Sequence, residues 1–274
     1  MLAGRRRWYE RRVSTVPRDA ATVILVRPAP AGFEVFLLRR RRGASFMSGA
    51  FVFPGGGADE GEADPRVTAA RELFEEAGIL LGACDPAALP ALRRRVLDGD
   101  VCAAVLGEHG LAFDPSALHY FAHWITPSSE PKRFSARFYV AVLPPGQEPH
   151  FDDRETVDQV WVTPADALAR TGELSLPPPQ VRTFHELAAA ATVDDVLALA
   201  AARAAAPHPV MPRLAAVGGG FALLLPWDPE YLTAGTGDAA PLPDRHPLAT
   251  GPSRFVMEDR AWKHVYAPPS TTAG

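Results

Sequence analysis

Apolar residues come in short blocks along the chain, separated by glycine, proline and charge. Their spacing switches between the period of strands and that of helices. ATVILVRP over 21–28 reads as a buried strand, and FEVFLLRR from Phe33 as a second, with alternating sides. Phe51, Val52 and Phe53 end a third, which Pro54 stops before a tight loop of Gly55, Gly56 and Gly57. A helix is predicted over about 65–77. Asp64 caps it, Pro65 suits its first turn and Gly78 its end, and Val67, Ala70, Leu73 and Ala77 form its apolar stripe. DPAALPALRRRVLDGD and VCAAVLGEHG read as helical inserts broken by Pro90 and Gly99. LHYFAHWITP, RFSARFYVAVLP and TVDQVWVTP read as strands, ADALARTG as a helix, and residues from about 179 to 206 as helical. RLAAVGG, FALLLPW and RFVMEDRAWKHVYAP follow as strand-like pieces of a proline-rich end. Interleaved strands and helices predict an α/β/α sandwich with a mixed sheet and extra helical inserts. The most apolar region, 187–207, is interrupted by Asp194 and Asp195, so no membrane span is expected.

The predicted helix over 65–77 carries Glu72, Glu75 and Glu76 at i, i+3 and i+4, on one face and mostly off the apolar stripe. Exposed, they would be an ordinary solvated acidic face. Converging, they are the hard oxygen donors that Mg²⁺ requires. The glycine loop upstream favours the second reading. The segment from Gly56 to Ile79 resembles the Nudix box, G-x5-E-x7-R-E-U-x-E-E-x-G-U, through Gly56, Glu62, Arg71, Glu72, Leu73, Glu75, Glu76, Gly78 and Ile79. One residue is extra: eight, not seven, lie between Glu62 and Arg71, which leaves the role of Glu62 open and is cheapest as a loop insertion. The resemblance implies the α/β/α fold and a Mg²⁺-dependent diphosphate hydrolase, with Mn²⁺ as a substitute. It implies Glu72 and Glu76 as metal ligands, Glu75 as a ligand directly or through water, and the Gly56 carbonyl as a further one. Arg71 is implied to orient a carboxylate. A further acid is expected from GQEPHFDDRETVDQVWV, where Glu148, Asp152, Asp153, Glu155 and Asp158 compete and Glu155, just before the strand, is chosen.

Flanking segments bear on the substrate. FLLRRRRGASFMSGAFVFPGG resembles the approach to the box in Nudix enzymes that cleave coenzyme A and acyl-coenzyme A: Gly49 matches, whereas Ser45 stands where those enzymes have arginine. HWITPSSEPKRFSARFYVAVLP resembles a segment of the peroxisomal-type coenzyme A diphosphatases through Trp124, Thr126, Pro127, Arg133, Phe134, Arg137 and Phe138. A substrate rich in phosphate needs cations. Arg39 and Arg40, from the run ending at Arg42, are expected to bind it, as are Arg133 and Arg137, which share one strand face while Phe134 and Phe138 take the other.

Net charge −4 and pI about 6.1 argue against general binding to nucleic acid or anionic membranes. Only Cys84 and Cys102 occur, so no disulfide framework is expected. The basic N-terminus lacks a hydrophobic signal core, and a cytoplasmic enzyme is expected. The expected divisions are a flexible N-terminus over 1–19, a Nudix hydrolase domain over 20–206 and an extension over 207–274. The expected partner is a small nucleotide, and a homodimer is left open. ADP-ribose, NADH or an oxidised nucleotide is the alternative substrate. A non-catalytic binding module is less favoured, since its glutamates would be eroded.

Overall fold

The computed structural model describes residues 16–43, 47–217, 220–237, 239–243 and 245–268. The departure at Ser45 and most of the basic N-terminus lie outside them. The central strand is β1 (Arg18–Ala29), which pairs antiparallel with β2 (Gly32–Arg40) and β4 (Gly55–Gly57) and parallel with β6 (Phe134–Val142). β2 also pairs with β3 (Phe51–Val52) and β7 (Thr156–Val162), and β6 with β5 (His119–Ile125), whose far side takes β8 (Pro209–Val210). The sheet is therefore mixed and eight-stranded.

Helices cover both faces. Ala21, Val23 and Leu25 of β1 point to α1 (Pro65–Ala77), where Ala69, Ala70, Leu73 and Ala77 close the layer. Ile24 and Val26 point the other way, to a core with α4 (Pro164–Ala169), α5 (Pro178–Leu187) and α6 (Val193–Ala205). With helices on both sides, β2 buries Val35 through Leu38 without a break, so the expected alternation gives way to the run typical of a covered strand. The inserts form α2 (Leu89–Leu97) and α3 (Cys102–Glu108), which pack on Phe74 behind α1. Pro90 does not break α2. It lies in the first turn, where no backbone N–H is needed.

The single helical stretch expected near 179–206 is two helices. Thr192 starts α6 with a capping box, its hydroxyl accepting from the Asp195 N–H while the Asp195 carboxylate accepts from the Thr192 N–H. α1 starts and ends as expected, with the Asp64 carboxylate accepting from the Arg66 N–H and Gly78 left-handed at φ 73°.

The proline-rich end forms a four-stranded antiparallel sheet of β9 (Arg213–Val217), β10 (Gly220–Leu224), β11 (Arg254–Glu258) and β12 (Ala261–Val265). Leu225 and Phe255 join the same apolar cluster as Val181 and Phe184 of α5. Arg182 of α5 donates to the Thr250 carbonyl at 2.9 Å and stacks over Trp227. Within the extension, buried Arg254 forks onto buried Asp228 at 2.6 and 2.8 Å, and Ser253 donates to the same carboxylate. That pairing satisfies a charge that would be costly to bury alone. Among the described residues no helix is long and apolar enough to cross a membrane.

His264 of β12 stacks on Phe255, with ring centroids 4.4 Å apart and 10° between planes. Burial, helped by the Arg182 charge, pushes its imidazole down to about 3. The unfolded chain therefore takes up the proton first. The stability contributed by neutral His264 is complete above about pH 6.5 and is lost as pH falls toward about 3. His264→Phe should lose less Tm than the parent between roughly pH 6.5 and 4.5, where this group changes charge in the unfolded chain. Parallel slopes in calorimetric melts of both proteins would remove His264 as the cause.

Candidate active site

Arg71 organises the site. Its side chain is 9% exposed and every donor is used. Nε donates to Glu62 Oε1 at 2.8 Å, Nη1 to Glu72 Oε1 at 2.9 Å and Glu75 Oε2 at 3.3 Å, and Nη2 to the Gly57 carbonyl at 2.9 Å. Glu62 also accepts from the Thr68 hydroxyl at 2.7 Å and the Asp59 N–H at 3.0 Å. The extra residue between Glu62 and Arg71 is thus absorbed in the loop, and Glu62 still reaches the guanidinium. Burial would raise the Glu62 carboxyl, but the Arg71, Asp59 and Thr68 hydrogen bonds outweigh it and hold it low. Arg71 is kept charged, since its carboxylate partners outweigh the burial that opposes it.

The expectation that the glutamates lie off the buried face needs correction. Glu76 is buried at 6% exposure and its Oε2 accepts from the Gly55 N–H at 2.9 Å. Glu72 and Glu75 are also largely covered, with side chains 13% and 29% exposed. The cause is tertiary: α1 is covered by the sheet on one side, by the inserts at Phe74 and by the glycine strand β4 at the glutamates. Arg93 of α2 then donates to the Glu75 and Glu76 carbonyls at 3.0 and 2.7 Å, placing a cation on the C-terminal end of α1. Nothing in the helix's own sequence announces this contact. Burial lifts Glu72 to about 7, against the pull of Arg71, and lifts Glu76 well above the usual carboxylate range with help from the Glu72 charge. Burial raises Glu75 as well.

Gly56 has a spatial reason to be glycine. A Cβ there would stand 2.5 Å from Glu72 Oε1. The loop backbone and the carboxylate are in direct contact.

Gly55, Gly56, Gly57, Glu72 and Glu76 close one end of a cavity of about 630 Å³, whereas Arg71 and Glu75 stand behind its lining. Of the loop acids, Glu155 lines it. Its side chain is 68% exposed, it lies 3.7 Å from Arg40, and its charge helps raise Glu72 and Glu76. The others do different work. Asp152 accepts the N–H groups of residues 154–156 and shapes the turn. Asp153 pairs with Arg41, Asp158 pairs with Arg39, and Glu148 is exposed away from the cavity lining.

The arginines divide. Arg40 lines the cavity, whereas Arg39 does not. Arg133 is buried, donating to the Thr126 carbonyl at 3.0 Å and to Met211 Sδ, so it ties the segment just after β5 to the extension. Arg137 lines a separate space beside Glu62 and pairs with Asp19 at 3.5 Å. The strand face turned to the main cavity carries Phe134, Ala136 and Phe138 instead, reversing the expected orientation of charge and aromatics. Sequence reasoning also missed Lys132, Arg260 and Trp262, all on the cavity wall. The W-x-T-P stretch pointed to the neighbourhood of Lys132, but no local pattern could announce the other two.

The donors are oxygens only, of the hard kind that Mg²⁺ takes, and they face a backbone loop with no side chain in the way. Among the described residues no three acidic, histidine or cysteine side chains stand as a finished metal cage. Arg71 draws Glu72 and Glu75, and the Gly55 N–H draws Glu76.

Comparison with known proteins agrees with this architecture. The NUDIX domain family matches residues 16–187. A Caenorhabditis elegans protein described as a nudix hydrolase is 31% identical over 67% of this chain, which spans 64% of that relative's length. Proteins named acyl-coenzyme A diphosphatase NUDT19 from Gallus gallus and Homo sapiens are each 27% identical, over 78% and 75% of this chain and 79% and 74% of their own. A solved NUDIX hydrolase from Alicyclobacillus acidocaldarius superposes with TM-score 0.59 at 29% identity, covering 68% of this chain and 97% of its own.

Gly56→Ala should push the Glu72 carboxylate aside at little cost to folding, because the atoms it meets end a flexible side chain. A displacement of about 1 Å predicts a rate loss of roughly ten- to hundredfold with Tm almost unchanged. Steady-state kinetics beside a thermal melt separates this from misfolding; parental turnover would show that the contact is idle.

Proposed function

The chain belongs to the Nudix family, and we propose that this hydrolase cleaves the diphosphate of coenzyme A or an acyl-coenzyme A with Mg²⁺ as its metal. The observation that carries the reading is one cavity with two characters. At one end stand Glu72, Glu76, Glu155, Arg40 and the glycine strand, and the remaining wall is largely apolar, with Trp124, Phe134, Phe138 and Trp262. The first suits a diphosphate and the second a pantetheine or acyl chain. The names of the NUDT19 relatives point the same way.

Glu72, Glu75, Glu76 and the Gly56 carbonyl would hold Mg²⁺, or Mn²⁺ in its place. When bound, such ions neutralise diphosphate charge and lower the pKa of water. The chain's own residues then have separable tasks. Arg71 holds Glu72 and Glu75 in position and locks the loop through Glu62 and Gly57. Arg40 presents a cation to the phosphates. Glu155, exposed in the cavity, takes the proton of the attacking water. Water forms a bond to one phosphorus as the bridging P–O bond breaks. The products are 3′-phosphoadenosine 5′-phosphate and a phosphopantetheine. A homodimer is left open, and a cytoplasmic enzyme remains our reading.

Purified protein should hydrolyse coenzyme A or acyl-coenzyme A ahead of ADP-ribose, NADH and 8-oxo-dGTP when Mg²⁺ is supplied, and lose activity on chelation. Mass analysis of products decides. A preference for ADP-ribose would replace the substrate proposed here.

Glu76→Gln should cut turnover by about a hundredfold or more, since a metal-holding carboxylate is lost. The fold should persist even though the side chain is buried, because the amide oxygen still accepts from Gly55 and a neutral amide carries no charge for burial or Glu72 to oppose. Glu155→Gln should slow turnover by on the order of a hundredfold, the usual span of a lost proton acceptor, without changing Mg²⁺ affinity greatly. A larger loss in Glu148→Gln or Asp153→Asn would reassign that role.

A further inference from the structure

The matched NUDIX region ends at residue 187, yet Leu223, Met257, Arg260, Ala261 and Trp262 of the second sheet line the same cavity as Glu72 and Glu76. They come mainly from the β11–β12 hairpin. Its turn is two residues long, closed by Glu258 opposite Ala261, and both central residues are left-handed, Asp259 at φ 48° and Arg260 at φ 64°. Such a turn follows the natural twist of its strands and places its residues narrowly. The strands are anchored behind it. Phe255 is buried on His264, Arg254 is locked to Asp228, and Trp262 packs on the main core. Arg260 is therefore an exposed side chain on a fixed support.

Its electrostatic setting is distinct. Glu72, Glu76, Glu130 and Glu155 line the cavity with Arg40, Lys132 and Arg260 as the cations. Arg40 is drawn to Glu155 and Glu76. Lys132 lies over the Phe134 ring at 5.5 Å. Arg260 forms no ion pair or hydrogen bond with the described residues, although Glu258 and Asp259 adjoin it in sequence. A guanidinium left unpaired at a mostly apolar cavity is a binding element for an anion, and its planar fork matches phosphate. The scissile diphosphate belongs at the carboxylate and glycine end. A second anionic group is left for Arg260.

The geometry points to Arg260 as the residue that selects substrates carrying a phosphate monoester away from the bond cleaved, so that the extension supplies specificity to a site whose chemistry lies in the matched domain. For the substrate proposed above, on which this inference rests, that group is the 3′-phosphate. Arg39, Arg133 and Arg137, the cations expected from sequence, are committed elsewhere or lie outside the cavity.

The test pairs Arg260→Asn, which tolerates the left-handed backbone, with the conservative Arg260→Lys. The parent should prefer coenzyme A to dephospho-coenzyme A. Arg260→Asn should lower kcat/KM for coenzyme A by roughly ten- to hundredfold, the value of a charged hydrogen bond, chiefly through KM. The two substrates then converge, and Arg260→Lys retains part of the preference. An unchanged coenzyme A to dephospho-coenzyme A ratio in Arg260→Asn overturns the assignment, as does a parent with no preference. A parent that cleaves neither compound but does cleave ADP-ribose sinks the coenzyme A reading alone. Arg260 is then judged by calorimetric binding of 3′-phosphoadenosine 5′-phosphate against AMP. A tenfold loss confined to the former sustains it, and equal affinities in parent and variant overturn it.

Discussion

The buried guanidinium of Arg71 is the interaction on which the site depends. A cation in this position needs its donors met, and they are met by partners from three places: Glu62 in the loop, Gly57 in β4, and Glu72 and Glu75 on its own helix. Glu72 and Glu75 need the cation in turn, since burial raises both and the Arg71 charge opposes that rise. Removing either sign would leave the other buried and uncompensated, a cost of several kcal/mol. The network therefore binds loop to helix and gathers three carboxyl groups around one guanidinium, an excess of oxygen donors that suits a divalent cation.

The scaffold serves that network. β1 buries both faces and pairs with the glycine strand along one stretch and with β6 along its length. This sets Gly56 against the Glu72 carboxylate of α1, where an added Cβ would stand 2.5 Å from Oε1. The inserts α2 and α3, which have no ionisable group at the cavity, act from behind by covering Phe74 and placing Arg93 on the last carbonyls of α1. The same helix is thus gripped at its face, its back and its end.

The extension changes the site's character. Its Trp262, Met257 and Arg260 add an apolar and a cationic surface to the cavity that Glu72 and Glu76 line. Chemistry and selection are then carried by different parts of the chain.

Local patterns were enough for α1, for most strands and for the identity of the carboxylate cluster, because caps, periodicity and the spacing of Glu72, Glu75 and Glu76 act within a few residues of one another. Glu62 was ambiguous by one position, and only the reach of Arg71 across the loop resolved it. Three features were decided by tertiary structure. Glu76 is buried because β4 lies on it, which no helical pattern records. Arg133 and Arg137 do not face the cavity, because pairing of β6 with β1 turns Phe134 and Phe138 inward. Arg260 reaches the site from far along the chain, through a hairpin whose place is set by Phe255, Trp262 and the Arg254–Asp228 pair. The sequence determined what chemistry was available, since that depends on residue type and short spacing. The fold decided which charges meet the substrate, since that depends on the direction each strand faces and on contacts between segments remote in the chain.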